Sequence, residues 1–273
     1  MFKGVKYILF IYNIMVVHMT VPPHNGGFFS CCSVLLDYMV NYFNSNRRLP
    51  DSIDTTGYFI WYKNDKETDV DIRKNYFKEN NDPVIPYNNT TVEYKNSYQF
   101  SKYSTLDFAS ITPFIQIYFS PSEEIGNIVS NIETKYSIDY ENTCVIFFRG
   151  NDKCTETPLP HYSELYQSAY NIYVENRNVK FLVQSDETEF IEFMLSKFPE
   201  NSFYFRDEIR HIPRSITTVD NVMKSKNSEF SKYFLAITLI MSKCKYLVCN
   251  TGNCSLWIVL FRGNCENVHQ HLR

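Results

Sequence analysis

From residue 144 onward the chain alternates two hydrophobic rhythms. CVIFF, residues 144–148, is an unbroken apolar run of the length of a fully buried strand. After a proline-containing loop, HYSELYQSAYNIYVENR sets Tyr162, Leu165, Tyr166, Ala169, Tyr170 and Tyr173 at helical spacing. VKFLVQ predicts a second strand, and Asp186 to Glu189 reads as a capping box opening the helix ETEFIEFMLSKF. SFYF is a third strand. The polar segment RDEIRHIPRSITTVDN then leads into a strongly apolar helix, EFSKYFLAITLIMSKC, followed by the strand YLVCN, the loop TGNC and a last helix, SLWIVLF, closed by Gly263. Strands that alternate with helices predict an α/β fold with a doubly wound parallel sheet.

The N-terminal half has a weaker pattern. NIMVVHMT predicts a strand and CSVLLDYMVNYF a helix, joined by VPPHNGGFFS. Residues 60–105, rich in Asn, Lys and Tyr without clean periodicity, read as loops and short strands. A helix follows in SPSEEIGNIVSNIETKY, with Ser120 or Ser122 as its cap. A boundary near residue 120 divides the chain into an N-terminal α/β lobe, 1–120, and a C-terminal Rossmann-like lobe, 121–273. No internal repeat is evident beyond the two similar α/β starts.

At 273 residues the chain is long enough for either one large domain or two smaller ones. Its formal charge of −3, without a long basic run or aromatic–basic alternation, argues against a nucleic-acid partner. The eight cysteines lack metal-ligand spacing, and several lie inside apolar runs, so a reducing, cytoplasmic location is the simpler reading. The first twenty residues resemble a secretory signal, but Asn13 interrupts the apolar stretch and no small-residue cleavage site follows. A buried first strand is the preferred reading, a signal or anchor the minor one, and no transmembrane span is expected. Sequons at Asn88, Asn89 and Asn253 are unsurprising in a chain this rich in Asn.

The chemistry-bearing residues gather where strands end. Ligands of an open parallel sheet bind outside the carboxyl ends of its strands, and RGNDKCTE lies directly after CVIFF. Arg149 offers a rigid fork that suits two phosphate oxygens. Gly150 lets backbone approach a ligand closely, Lys153 is a movable charge able to neutralise a diphosphate leaving group, and Glu156 is the nearest carboxylate able to act as a base. Asp152 orients Arg149 or caps a turn. A merely solvated charged turn is the competing reading, weakened by three further features of the same kind. Ser185 and Asp186 follow the second strand and can meet ribose hydroxyls, or simply cap a helix. TGNCS, with Thr251, Gly252, Asn253 and Ser255, joins a strand to a helix and forms either an anion site of backbone amides or an ordinary small-residue loop. HNGGFFS, with His24, Asn25, Gly26 and Gly27, is a glycine-containing turn able to face the cleft from the N-terminal side.

IFFRGNDKCTE resembles the HVRRTDK-containing motif of the α1,6-fucosyltransferases, both the animal core enzymes and the bacterial nodulation enzymes, and of related GT-B glycosyltransferases. The resemblance covers roughly residues 118–270. SPSEEIGNIVSNIETKY is similar to the helix before that motif, TETPLPHYSEL to the segment after it, FLVQSDE to the second motif, and MSKCKYLVCNTGNCSLWIVLFRG to the final donor-binding strand, loop and helix. The resemblance implies two Rossmann-like lobes and an inverting transfer from a nucleotide sugar, GDP-linked in the fucosyltransferases, to a glycan or other hydroxyl acceptor, with no cofactor and no obligatory metal. It further implies that Arg149 holds the diphosphate, Lys153 assists the leaving group and Glu156 deprotonates the acceptor. The chain departs from the family where the motif histidine is Phe147, the second arginine is Gly150, the Lys-to-Glu spacing is one residue shorter, and two acidic positions are Ile237 and Lys245. Those departures keep two alternatives open: a transferase for a different nucleotide sugar, and a non-catalytic nucleotide-sugar or glycan-binding module.

Overall fold

The computed structural model describes residues 17–78 and 91–272, to which every structural statement below refers. Its centre is a five-stranded sheet, and every pairing in it is parallel. The N-terminal segment contributes β1 (His18–Thr20), α1 (Phe28–Asn46) and β2 (Ser52–Asp54), with β1 and β2 forming a separate parallel pair. α2 (Phe108–Tyr118) and α3 (Glu123–Tyr136) come next, and Ser122 caps α3 by accepting from the Ile125 amide. The large sheet is then laid down as β3 (Thr143–Phe148), α4 (Tyr162–Glu175), β4 (Lys180–Ser185), α5 (Thr188–Lys197), β5 (Ser202–Phe203), α6 (Val219–Val222), α7 (Asn227–Lys243), β6 (Tyr246–Asn250), α8 (Asn253–Arg262) and β7 (Val268–His271).

The strand order β5-β4-β3-β6-β7 grows outward from β3 in both directions. Right-handed crossovers on either side of β3 must therefore run to opposite faces of the sheet. The helices accordingly pack in two groups, α4 with α5, and α3 and α8 with α7. Every residue of β3 is buried, as expected of a central strand covered on both faces. The reversal between β3 and β6 opens a crevice at their carboxyl ends, the place where such sheets hold ligands.

The α/β class and the doubly wound parallel sheet agree with the sequence pattern. The N-terminal packing joins that sheet through one continuous apolar core: Trp257 of α8 stacks on Phe29 of α1 at 5.9 Å between ring centroids and meets Phe119 edge-on at 4.6 Å. Four local expectations change. Residues 60–105 form tight helical turns at Ile60–Tyr62, Ile72–Asn75, Asn96–Phe100 and Tyr103–Thr105 instead of short strands, while residues 79–90, with the sequons at Asn88 and Asn89, lie outside the described residues. α1 begins at Phe28, so the last three residues of the expected HNGGFFS loop are helix, and residues 13–16 of the expected first strand are likewise outside the described residues. The capping box at 186–189 does not form, because the Asp186 carboxylate is drawn to Arg149 and to the Gly150 amide. β7 extends the sheet beyond the last expected element, where the polar VHQH carries no strand-like apolar run.

Candidate active site

A cavity of about 440 Å³ lies at the reversal point. Its wall draws on the ends of β3 and β4, the start of α8, the start of α1, and the segment linking β5 to α7. The segment after β3 enters it through Asn151, whose φ of 43° puts a non-glycine residue in the left-handed region. Asn151 is buried and held on three sides: its amide donates to Glu187 Oε2, its Nδ2 to the Asp186 carbonyl at 2.7 Å, and its Oδ1 accepts from the Ser215 amide at 2.9 Å. The tight turn Asn151–Thr155 delivers Asp152 and Lys153 to the cavity, with Glu156 at its end.

Arg149 is gripped by two carboxylates. Its Nη1 donates to Asp186 and its Nη2 to Asp152 at 2.6 Å. Burial works against its charge, but Cys254 and Asp152 outweigh that, and its pKa is raised. Lys153, nearly buried, donates to Glu156 Oε2 at 2.5 Å and Gln99 Oε1 at 3.3 Å, and lies 4.8 Å from the centroid of the Phe100 ring. Glu156 is its exposed partner, with 46 % of the side chain accessible. Across the cavity, Tyr62 accepts from the Phe28 amide at 2.8 Å and donates to Asp220 Oδ2 at 2.8 Å, and Arg210 donates to the other Asp220 oxygen. Glu208 turns to Lys135 and Tyr136.

Two helix starts reach this cavity, and each is glycine-capped without a capping side chain: α1 at Gly27 and α8 at Gly252. Neither has an acidic residue in its first turn to neutralise the amides. Such an end favours an anion, through its amides and the helix dipole. The wall's cations are not idle, however. Arg149, Lys153 and Arg210 face Asp152, Glu156, Asp186, Glu208 and Asp220, so an entering diphosphate must displace carboxylates as well as water.

The site residues expected from sequence divide by place. Arg149, Asp152, Lys153, Glu156, Ser185, Asp186, Gly252, Asn253, Gly26 and Gly27 line the cavity. Gly150 serves a different purpose from the expected one: its amide donates to Asp186, and a Cβ there would overlap the Glu187 carboxylate, so the close approach is to Glu187 and not to a ligand. Thr251 is buried and donates to the His271 carbonyl of β7 at 3.1 Å. Ser255 donates to the Asn250 carbonyl at 2.6 Å and shares a 2.8 Å bond with the Tyr103 hydroxyl, which anchors α8 from behind. The Gly252 amide is likewise taken, by Tyr103 at 3.0 Å. His24 bonds Ser30 and Asn25 accepts from Trp61, bracing the turn outside the wall.

Sequence reasoning missed Gln184, Tyr62 and the segment carrying Glu208, Arg210 and Asp220. That segment's charge density, RDEIRHIPR, was the available signal, but no strand or motif ties it to the site. Among the described residues no group of three or more His, Cys, Asp or Glu side chains is arranged to hold a metal ion, and no helix is long and apolar enough to cross a membrane.

No family model and no curated protein matches the sequence. Solved structures that align with part of the chain include a NodZ alpha-1,6-fucosyltransferase soaked with GDP-fucose, at 12 % identity and a TM-score of 0.37, covering 57 % of this chain and 47 % of that one. The same enzyme co-crystallised with GDP aligns at 10 % identity and a TM-score of 0.34, covering 56 % and 46 %. Fucosyltransferase NodZ from Bradyrhizobium gives 11 % identity and a TM-score of 0.31, covering 52 % and 42 %. This chain thus aligns with less than half the length of each.

Proposed function

We propose that this chain is a glycosyltransferase that binds a nucleotide sugar in its strand-end cavity and transfers the sugar, with inversion, to a hydroxyl of a glycan or glycoconjugate. The observation that carries this reading is the convergence of Arg149, Lys153 and two glycine-capped helix starts on one cavity at the sheet's reversal point. Rigid guanidinium, mobile ammonium and helix-end amides are the groups that bind a diphosphate and stabilise it as a leaving group. In this reading the donor phosphates replace Asp152 and Glu156 as partners of Arg149 and Lys153. Glu156, once released, is free to take the acceptor proton. The leaving diphosphate is held by Arg149, Lys153 and the helix-end amides, without a metal, once the carboxylates now paired with these cations have been displaced. The donor lies within residues 121–273 and the acceptor enters past residues 1–120. The motif resemblance favours a GDP-linked donor and fucose as the sugar.

A second reading, a non-catalytic nucleotide-sugar binder, is favoured by one observation: Glu156 is paired to Lys153 and not poised over an open space. Calorimetric titration with GDP-, UDP- and dTDP-sugars tests the binding on which both depend. Saturable binding of one donor is expected, and Arg149→Lys should weaken it by on the order of 1.5–3 kcal/mol, the range for a charged hydrogen bond that an ammonium cannot replace in fork geometry. Well-folded protein that binds none of them refutes both readings. Transfer to a mixed glycan acceptor pool then separates the enzyme from the binder.

A further inference from the structure

Gln184 and Phe147 are paired across the β3–β4 ladder and stand side by side in the cavity wall. Gln184 is only 5 % exposed, and its Oε1 has no hydrogen-bond partner among the described residues. Its polar neighbours are different. Ser185 accepts from the Glu187 amide, Asp186 is held by Arg149 and Gly150, and Asp220 by Tyr62 and Arg210. A buried acceptor without a donor destabilises the protein that carries it, so such a group calls for a partner from outside. Oε1 itself is shut off from solvent, and a half-turn about the last side-chain bond, a soft terminal torsion, exchanges it with the amide nitrogen and so presents an acceptor to the cavity when a ligand donor is there to meet it.

The rest of this wall narrows what that partner is. Phe147, Phe230, Phe234 and Ile237 present apolar surface to the same cavity. A sugar carries hydroxyls around its ring, and against such a wall most of them would stay unpaired. A heterocyclic base has two apolar faces and a few polar groups confined to its edge, which fits aromatic surface with an amide set into it. We infer that Gln184 is a specificity-determining residue that accepts a hydrogen bond from an N–H group on the edge of the bound nucleobase. The inference rests on the nucleotide-sugar reading of the cavity and adds where the nucleotide is read.

The test is calorimetric titration of GDP, UDP, dTDP, ADP and inorganic pyrophosphate into the parent and into Gln184→Leu, together with the melting temperature of each protein without ligand. The leucine variant is expected to bind the preferred nucleoside diphosphate about tenfold more weakly, the loss expected when a ligand donor goes unpaired in a dry site. It should bind pyrophosphate as the parent does, and without ligand it should melt at or above the parent temperature. A lower ligand-free melting temperature would make Gln184 a structural residue and overturn the inference. Unchanged nucleoside diphosphate binding, or an equal loss with pyrophosphate, overturns it too while leaving the nucleotide-sugar reading standing. A parent protein that binds pyrophosphate but no nucleoside diphosphate refutes both.

Discussion

Glu156 is the residue on which turnover depends in the proposed mechanism, and its place in the structure sharpens what its removal should do. It sits half in solvent at 2.5 Å from Lys153, whose own side chain is only 6 % exposed, so that lysine needs an acceptor beside it. Glu156→Gln keeps an amide oxygen in that place and leaves Gln99 as a second acceptor, so the fold should survive the change. It removes the carboxylate that competes with a diphosphate for Lys153, so nucleoside diphosphate affinity is expected to hold or rise. Single-turnover transfer at saturating donor should nonetheless fall by ~10²- to 10⁴-fold, the usual contribution of a general base. Parent-rate transfer by a variant with intact binding eliminates Glu156 as the base. Weaker binding would show instead that Glu156 braces Lys153.

At the scale of the element, α8 depends on its capping residue. Gly252 has φ 153° and ψ 169°, a conformation essentially reserved for glycine, and a Cβ there would sit 3.2 Å from Lys153 Cε. Gly252→Ala should cost about 1–3 kcal/mol of stability from backbone strain, measured by urea unfolding. Lys153 must also move aside, so nucleoside diphosphate binding should weaken in protein whose circular dichroism is native. Full binding by the folded variant would reduce the α8 start to a connection. In α4 the stripe read from sequence is only partly the buried one: Leu165, Ala169 and Ile172 are buried, whereas Tyr170 is exposed. Tyrosine is apolar enough to mark a helical face but keeps its hydroxyl in water, so periodicity alone overstates how much of that face is covered.

For the whole molecule, acid sensitivity is expected from two histidines. Burial lowers the pKa of His24, which bonds Ser30, and of His211, which bonds Thr188 at 2.7 Å. Both shifts are downward from 6.5, so between the folded and unfolded values the unfolded chain binds the extra protons. Stability from this source is present above pH 6.5 and is lost as pH falls through the lower folded values. Carboxylates held low, such as Asp54 and Asp207, titrate below that window. The melting temperature should fall between pH 7.5 and pH 5.5, and His24→Gln and His211→Gln should each flatten that fall. A slope unchanged in both variants would assign the acid sensitivity elsewhere.

Apart from the one-turn helix α6, which falls in what the sequence shows only as a polar segment, the order of strands and helices from residue 143 to 263 was legible in the sequence, because burial on both faces of a parallel sheet forces continuous apolar runs and the crossover helices force a second period. The charged turn after β3 was legible for the same reason: a buried strand must end before Arg149, and the residues beyond it emerge at the ligand edge. Tertiary structure alone decided which of those residues face the cavity. Gly150, Thr251 and Ser255 belong to sequence motifs but commit their polar groups to Asp186, His271 and Asn250. Gln184 belongs to a strand and would pass as interior, yet it lines the cavity and holds a buried acceptor unpaired. Tyr62 meets Asp220 across 158 positions of chain. Short-range pattern records which surface an element hides, whereas a site is made of hydrogen bonds between elements, and those exist only after the chain has brought distant donors and acceptors within about 3 Å of one another.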